Sequence, residues 1–158
     1  MKRLVALMLS LVLVLSLGSA FAEQKTVLNV WSFTTEVPNM IKRYLELNPE
    51  FGAKYEVKET IVATTDGAYQ PALDQALQGG ADAPDIYCAE AAFVLKYTQG
   101  DAAGFAAAYK DLGIDVAAAV PAAEIAQYTV DIGTNPNGDL VALGYQATGG
   151  AFIYRRSI

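Results

Sequence analysis

Val27-Leu28-Asn29-Val30-Trp31-Ser32-Phe33-Thr34-Thr35-Glu36 passes from an apolar run to a polar one just before Pro38 opens a helical pattern. A short apolar run that turns polar ahead of a helix is how a central strand of an α/β sheet ends. Ligands in open α/β sheets bind just beyond the carboxyl ends of the strands. Trp31 to Glu36 is therefore the first place where function is expected.

The elements downstream follow two periods. Val37, Met40, Ile41, Tyr44 and Leu45 fall on one helical stripe that Asn48-Pro49 stops. Tyr55, Val57 and Ile61 alternate with Glu56, Lys58 and Thr60, which predicts a strand with one wet face. The stripe returns at Tyr69, Ala72, Leu73, Ala76 and Leu77 and ends at Gly79-Gly80. A third strand is expected over Asp85 to Ala89, and a helical turn or two from Ala91 to Thr98 before Gly100. Strand alternating with helix predicts an α/β fold whose sheet is mainly parallel, flanked by helices and joined by right-handed crossovers.

The second half is less regular. Alanine-rich Ala102 to Tyr109 predicts a helix, Asp111-Leu112-Gly113 a turn, and Val116 to Ile125 a further helix despite Pro121. Tyr128 to Ile132 fits either period. Asn135-Pro136-Asn137-Gly138 is a strong turn signal, with strands expected over Asp139 to Leu143 and, past Gly149-Gly150, over Ala151 to Tyr154.

Upstream, Lys2 and Arg3, an apolar core from Leu4 to Leu17 and the small-x-small step Ala20-Phe21-Ala22 predict a signal peptide over residues 1–22. The core falls short of the roughly 20 residues a membrane-spanning helix needs. An exported protein, periplasmic or at the cell surface, is the expectation. Taking Lys2 and Arg3 from the 11 basic residues leaves nine against 17 acidic, a charge of −8. That balance argues against nucleic acid and anionic membranes as partners.

Cys88 is the sole cysteine, so no internal disulfide framework is available, and its apolar neighbours favour a buried structural thiol. The chain has no histidine, which removes Cys-His and Ser-His catalysis and histidine-based metal sites. It also lacks the spacing of a calcium loop, a P-loop or a dinucleotide-binding turn, so no cofactor and no metal is expected.

Three segments occur in a familiar order: Val30-Trp31-Ser32-Phe33-Thr34-Thr35-Glu36, then Gly80-Ala81-Asp82-Ala83-Pro84-Asp85-Ile86-Tyr87, then Asn137 to Leu143 followed by Gly149 to Arg155. Together they resemble bacterial family 1 extracellular solute-binding proteins, the maltose-binding-protein-like sugar receptors of ABC importers. The resemblance implies a type II periplasmic-binding-protein-like clamshell whose lobes close on the ligand. It places an N-terminal lobe over residues 23–143. Residues 144–158 become a hinge crossing and the first strand of a second lobe. The stop at Ile158, four residues past an apolar strand, suggests an N-terminal fragment of a monomeric receptor that hands its ligand to importer permease subunits.

Sugars present hydroxyls at the ring edge and C–H groups on the faces, so a receptor needs aromatic planes beside groups that donate and accept hydrogen bonds. Trp31 and Phe33 offer planes; Ser32, Thr34, Thr35 and Glu36 offer polar partners. Alternation sends Trp31 and Phe33 to one side and Ser32 and Thr34 to the other, so either pair can face a cleft while the other packs inward. Asp66 after the second strand, Glu90 after the third, and Tyr145, Gln146 and Thr148 at the crossing complete the candidate ligand-binding set. Asp82 and Asp85 are expected to shape the loop before the third strand.

A receptor with micromolar affinity has about 8 kcal/mol of binding free energy, so half the contacts leave roughly 4, or about millimolar. Residues 23–158 alone are therefore expected to bind weakly. The rival reading is an exported carbohydrate-active enzyme using Glu36 and Glu90 as paired carboxylates. A secreted adhesion module is the third.

Overall fold

The computed structural model describes residues 24–80, 83–147 and 155–156. The expected signal peptide, Asp82, Thr148 and the strand at Ala151 to Tyr154 lie outside the described residues. The chain divides into two compact units, one reaching to Ala72 and taking in Gly80–Tyr87, the other made of Leu73–Gly79 and the chain from Cys88 onward.

The first unit is built on a three-stranded parallel sheet ordered β2-β1-β3, with β1 at Thr26–Ser32, β2 at Tyr55–Ile61 and β3 at Ile86–Tyr87. β1 pairs with β2 from Thr26↔Tyr55 to Ser32↔Ile61 and with β3 at Val30↔Ile86 and Trp31↔Tyr87. The apolar run thus becomes the middle strand, and Val30, bonded on both sides, is 0% exposed. The structure is α/β with helices flanking a parallel sheet.

Helix α1 runs Glu36–Leu47, with Glu36 in its first turn, where an acidic side chain suits the helix dipole. Asn48 ends it, its backbone N–H and its side-chain amide both donating to the Tyr44 carbonyl, at 3.0 and 2.8 Å. Pro49 then starts a single turn, α2, Pro49–Gly52. The predicted stripe of α1 is wider than the sheet can cover. Val37, Ile41 and Leu45 are half-buried, whereas Met40 is 56% and Tyr44 52% exposed, and Tyr44 packs instead on the Phe51 ring at 5.7 Å.

β2 keeps its alternation through Lys58. Ile61, expected on the packed side, is 40% exposed at the strand end, opposite Ser32. β3 is shorter than the expected Asp85 to Ala89. Asp85 explains its start: its backbone N–H donates to Asn29 O at 2.9 Å, but its own carboxylate takes the Asn29 N–H at 2.7 Å, where a ladder would use a carbonyl.

α3, Tyr69–Leu77, matches the second predicted stripe, and Tyr69, Leu73 and Leu77 are buried. Its first turn belongs to the first unit and its remainder to the second. The second unit also holds α4 (Val94–Thr98), 3-10 turns at Ala103–Phe105 and Tyr109–Leu112, α5 (Val116–Ala122) and α6 (Gln127–Ile132).

Two expectations fail in this unit. Ala102 to Tyr109 is not a helix: Ala106 and Ala108 are extended between the two 3-10 turns. Alanine favours helix, but a segment this short needs an apolar face to bury, and methyl groups around Gly104 supply little. Asp139 to Leu143 is not a strand either and, among the described residues, makes a single bridge, Thr134↔Leu140. The segment left open, Tyr128 to Ile132, is helix α6. The turn at Asn135-Gly138 and the one closing at Gly113 (φ 78°) are present.

The core of the second unit gathers Leu73, Leu77, Cys88, Val94, Tyr97, Leu140 and Val141, with Cys88 buried as its neighbours suggested. Side chains of α4 satisfy the carbonyls at the end of α6, which the helix itself cannot. Thr98 Oγ1 donates to Ile132 O at 2.7 Å, and the Gln99 amide donates to Thr134 O at 2.9 Å and Asp131 O at 3.2 Å. Among the described residues no helix is long and apolar enough to cross a membrane.

Candidate functional site

The order β2-β1-β3 gives the carboxyl end of β1 a special position. The chain leaves β1 for a strand on one side and later returns on the other, and in open α/β sheets such a reversal is where a ligand crevice is expected. Trp31 to Glu36 occupies this end. Ser32 O accepts from Val62 N–H at 3.0 Å, which carries the pairing just past β2 and sets the loop after β1 beside the loop after β2.

Trp31 is half-buried and Ser32 is 1% exposed, on opposite faces of β1. The strand stops at Ser32, so alternation no longer governs Phe33. Its ring meets Tyr69 edge to face, centroids 5.5 Å apart and planes at 84°, while the Tyr69 hydroxyl lies 3.4 Å from Trp31 O. Ser32 Oγ accepts from the Thr34 N–H at 3.3 Å, bending the chain out of the sheet. This bend leaves the Thr34 Oγ1 buried, with no hydrogen-bond partner. A buried hydroxyl without a partner costs about 1–3 kcal/mol, so it calls for an explanation.

Thr35 and Glu36 are exposed at the start of α1. Asp66 is exposed in the 3-10 turn Thr65–Gly67 with φ 55°, ψ 20°, ahead of Gly67 at φ 71°. Left-handed backbone at a non-glycine residue stores strain, least for Asp and Asn, and such strain collects at binding loops. The first unit thus holds seven of the expected residues: Trp31 and Ser32 end β1, Phe33 to Thr35 follow it, Glu36 opens α1, and Asp66 lies in the loop after β2. Two rings, hydroxyls and two carboxylates there suit a ligand rich in hydroxyl groups.

The other expected residues belong to the second unit. Glu90 is half-buried ahead of α4, its carbonyl accepting from Phe93 and Val94 N–H at 3.0 and 2.8 Å. Tyr145 and Gln146 are exposed, and Thr148 lies outside the described residues. The chain leading to them is strapped down. Tyr109 N–H donates to Leu140 O at 2.9 Å, Val141 N–H to Gly133 O at 2.9 Å, and Lys110 pairs with Asp139. Burial pushes the Tyr109 phenol above its ordinary pKa, against a lowering by a backbone hydrogen bond at Leu143; the hydrogen bond to Asp139 raises exposed Lys110.

The second unit also carries an open cleft of about 180 Å³ lined by Asp74, Gln78, Lys96, Asp101, Ala102 and Phe105. Buried Tyr97 donates to Asp74 Oδ1 at 2.9 Å, and Lys96 pairs with Oδ2 of the same carboxylate. Sequence reasoning missed this cluster because its members stand 22 and 23 residues apart on two helices. It also missed Tyr69, which holds Trp31 and Phe33 in place. Tyr69 sits at the head of a helical stripe, so the period marks it as core and gives no sign of the loop it supports. No group of three or more His, Cys, Asp or Glu placed to hold a metal ion occurs among the described residues.

No family model, curated protein or solved structure matches the chain.

Proposed function

We propose that the protein is an extracytoplasmic solute-binding receptor that captures a carbohydrate, an oligosaccharide by preference, and passes it to the permease subunits of an ABC importer. In this reading the sheet belongs to the N-terminal lobe of a type II periplasmic-binding-protein-like fold, residues 144–158 lead into a second lobe, and residues 1–22 direct export. Closure about the crossing stabilises the bound state through contacts the open form lacks.

The observation that carries the proposal is the orphaned Thr34 hydroxyl at the end of the middle strand. Oγ1 is closed off from solvent in this form, so a sugar hydroxyl becomes its partner when the loop after β1 opens, and the rings of Trp31 and Phe33 together with Glu36 and Asp66 supply the rest of the chemistry. The order of the three sequence segments supports the choice of family.

The test is calorimetric titration of the product of the complete reading frame against a panel of sugars. Saturable binding with the sugar recovered unchanged is expected. Silence across the panel with a response to peptides or metal ions overturns the substrate class. Turnover of a glycoside, lost in Glu90→Gln, overturns the receptor in favour of the enzyme.

A further inference from the structure

The turn at Asn135-Pro136-Asn137-Gly138 contributes no residue to the candidate ligand-binding set, yet it places a reactive pair in the open. Asn137 and Gly138 are both exposed, Gly138 has φ 85°, and nothing lies within 4 Å of where a Cβ would stand on it. With no side chain on the following residue, the main-chain nitrogen of Gly138 has an unhindered approach to the side-chain carbonyl carbon of Asn137.

We propose that Asn137 is a site of spontaneous deamidation whose rate is governed by Asn135. Gly138 N forms a bond to Asn137 Cγ, the Cγ–Nδ2 bond breaks, and ammonia leaves with the proton that Gly138 N gave up. Water then opens the cyclic imide at either carbonyl, leaving an aspartyl or an isoaspartyl linkage at position 137. Solvent water is the only co-reactant, and nothing is oxidised or reduced.

The brake is the hydrogen bonding of Asn135. Its carbonyl accepts the Gly138 N–H at 2.9 Å, which holds the proton the reaction must remove. Its side-chain Oδ1 accepts from both Asn137 N–H and Asp139 N–H, each at 2.9 Å, which keeps the peptide unit from rotating toward the side chain. Cyclisation therefore proceeds from a locally opened turn.

The product alters more than one residue. An isoaspartyl linkage adds a methylene to the main chain inside the Thr134↔Leu140 bridge and a negative charge two residues from Asp139, the partner of Lys110. Both weaken the straps that hold buried Leu140 and Val141.

Incubating the full chain at mildly alkaline pH, followed by peptide mapping for a one-dalton gain and by isoaspartate detection, tests the idea. Conversion confined to Asn137 is expected. Asn135→Ala, folded by circular dichroism, converts about fivefold faster because turn opening becomes easier. Asn135→Asp, which keeps an acceptor oxygen, stays near the unaltered rate. Absence of conversion in the folded chain, when urea-unfolded chain converts, overturns the site. Equal rates for the unaltered chain and a folded Asn135→Ala overturn the brake.

Discussion

Val27 to Trp31 and Leu140 to Leu143 are both short apolar stretches, and one became the middle strand of a sheet while the other became an extended strap with a single bridge. Composition does not separate them. The difference lies in what each meets. β1 finds Tyr55–Ile61 in register for seven residues and Ile86–Tyr87 on its other edge, so its backbone groups have a continuous ladder. Among the described residues the 139–143 segment finds only isolated partners: the loop at Asn135, the cap of α6 at Gly133 and a 3-10 turn at Tyr109. An apolar run becomes a strand when a neighbour of its own kind is present, and otherwise its carbonyls and amides are satisfied one at a time.

The strap is the easier of the two to break, because it relies on a close backbone approach. A Cβ on Gly133 stands 2.1 Å from Ala142 O and 3.0 Å from Thr129 O, both main-chain atoms that cannot step aside. Gly133→Ala is expected to lose about 3 kcal/mol, the upper end for overpacking. Hydrogen exchange should then rise at Val141 and Ala142 while the Val30 amide in β1 stays protected. Equal loss of protection at β1 would mean that the two regions are not separate in stability.

The ladder has one irregular rung, and removing it sharpens the contrast. Asp85→Ala takes away the carboxylate that accepts the Asn29 N–H, a solvent-exposed bond expected to contribute about 1 kcal/mol. A ladder with neighbours on both sides of the rung absorbs the loss locally. The check is a lower denaturant midpoint with faster exchange at Asn29 and little change at Val30. Unaltered exchange at Asn29 would show that another acceptor replaces the carboxylate.

The same contrast accounts for what could be read from the residues alone. The strands β1 and β2 and helices α1 and α3 were legible because each carries a period and a stop of its own: Asn48-Pro49 after α1, Gly79-Gly80 after α3. The sheet order was not, since register depends on pairings across 29 residues or more. Ala102 to Tyr109 misled because alanine reports propensity and says nothing of burial. In the candidate site, Trp31 to Glu36 was recognisable as a strand end. That Phe33 leans on Tyr69, or that Thr34 buries a hydroxyl, depends on a bend set by Ser32, and no local pattern announces it.

Thr34 gives the smallest expected change in stability and the sharpest test of the strand end. Valine has nearly the shape of threonine, so Thr34→Val removes the hydroxyl and leaves the packing. In most buried positions that exchange destabilises, because the hydroxyl had a partner. Here Oγ1 has none, so the variant is expected to be as stable as the unaltered chain or more stable by up to about 1 kcal/mol. Thr34→Ser, which keeps the hydroxyl and loses a methyl, moves the other way. If the hydroxyl is reserved for ligand, Thr34→Val in the complete protein loses sugar affinity by about tenfold, one charge-assisted or well-buried hydrogen bond. A fall in thermal midpoint for Thr34→Val, with sugar affinity intact, would assign the hydroxyl to the scaffold and remove the observation on which the receptor reading rests.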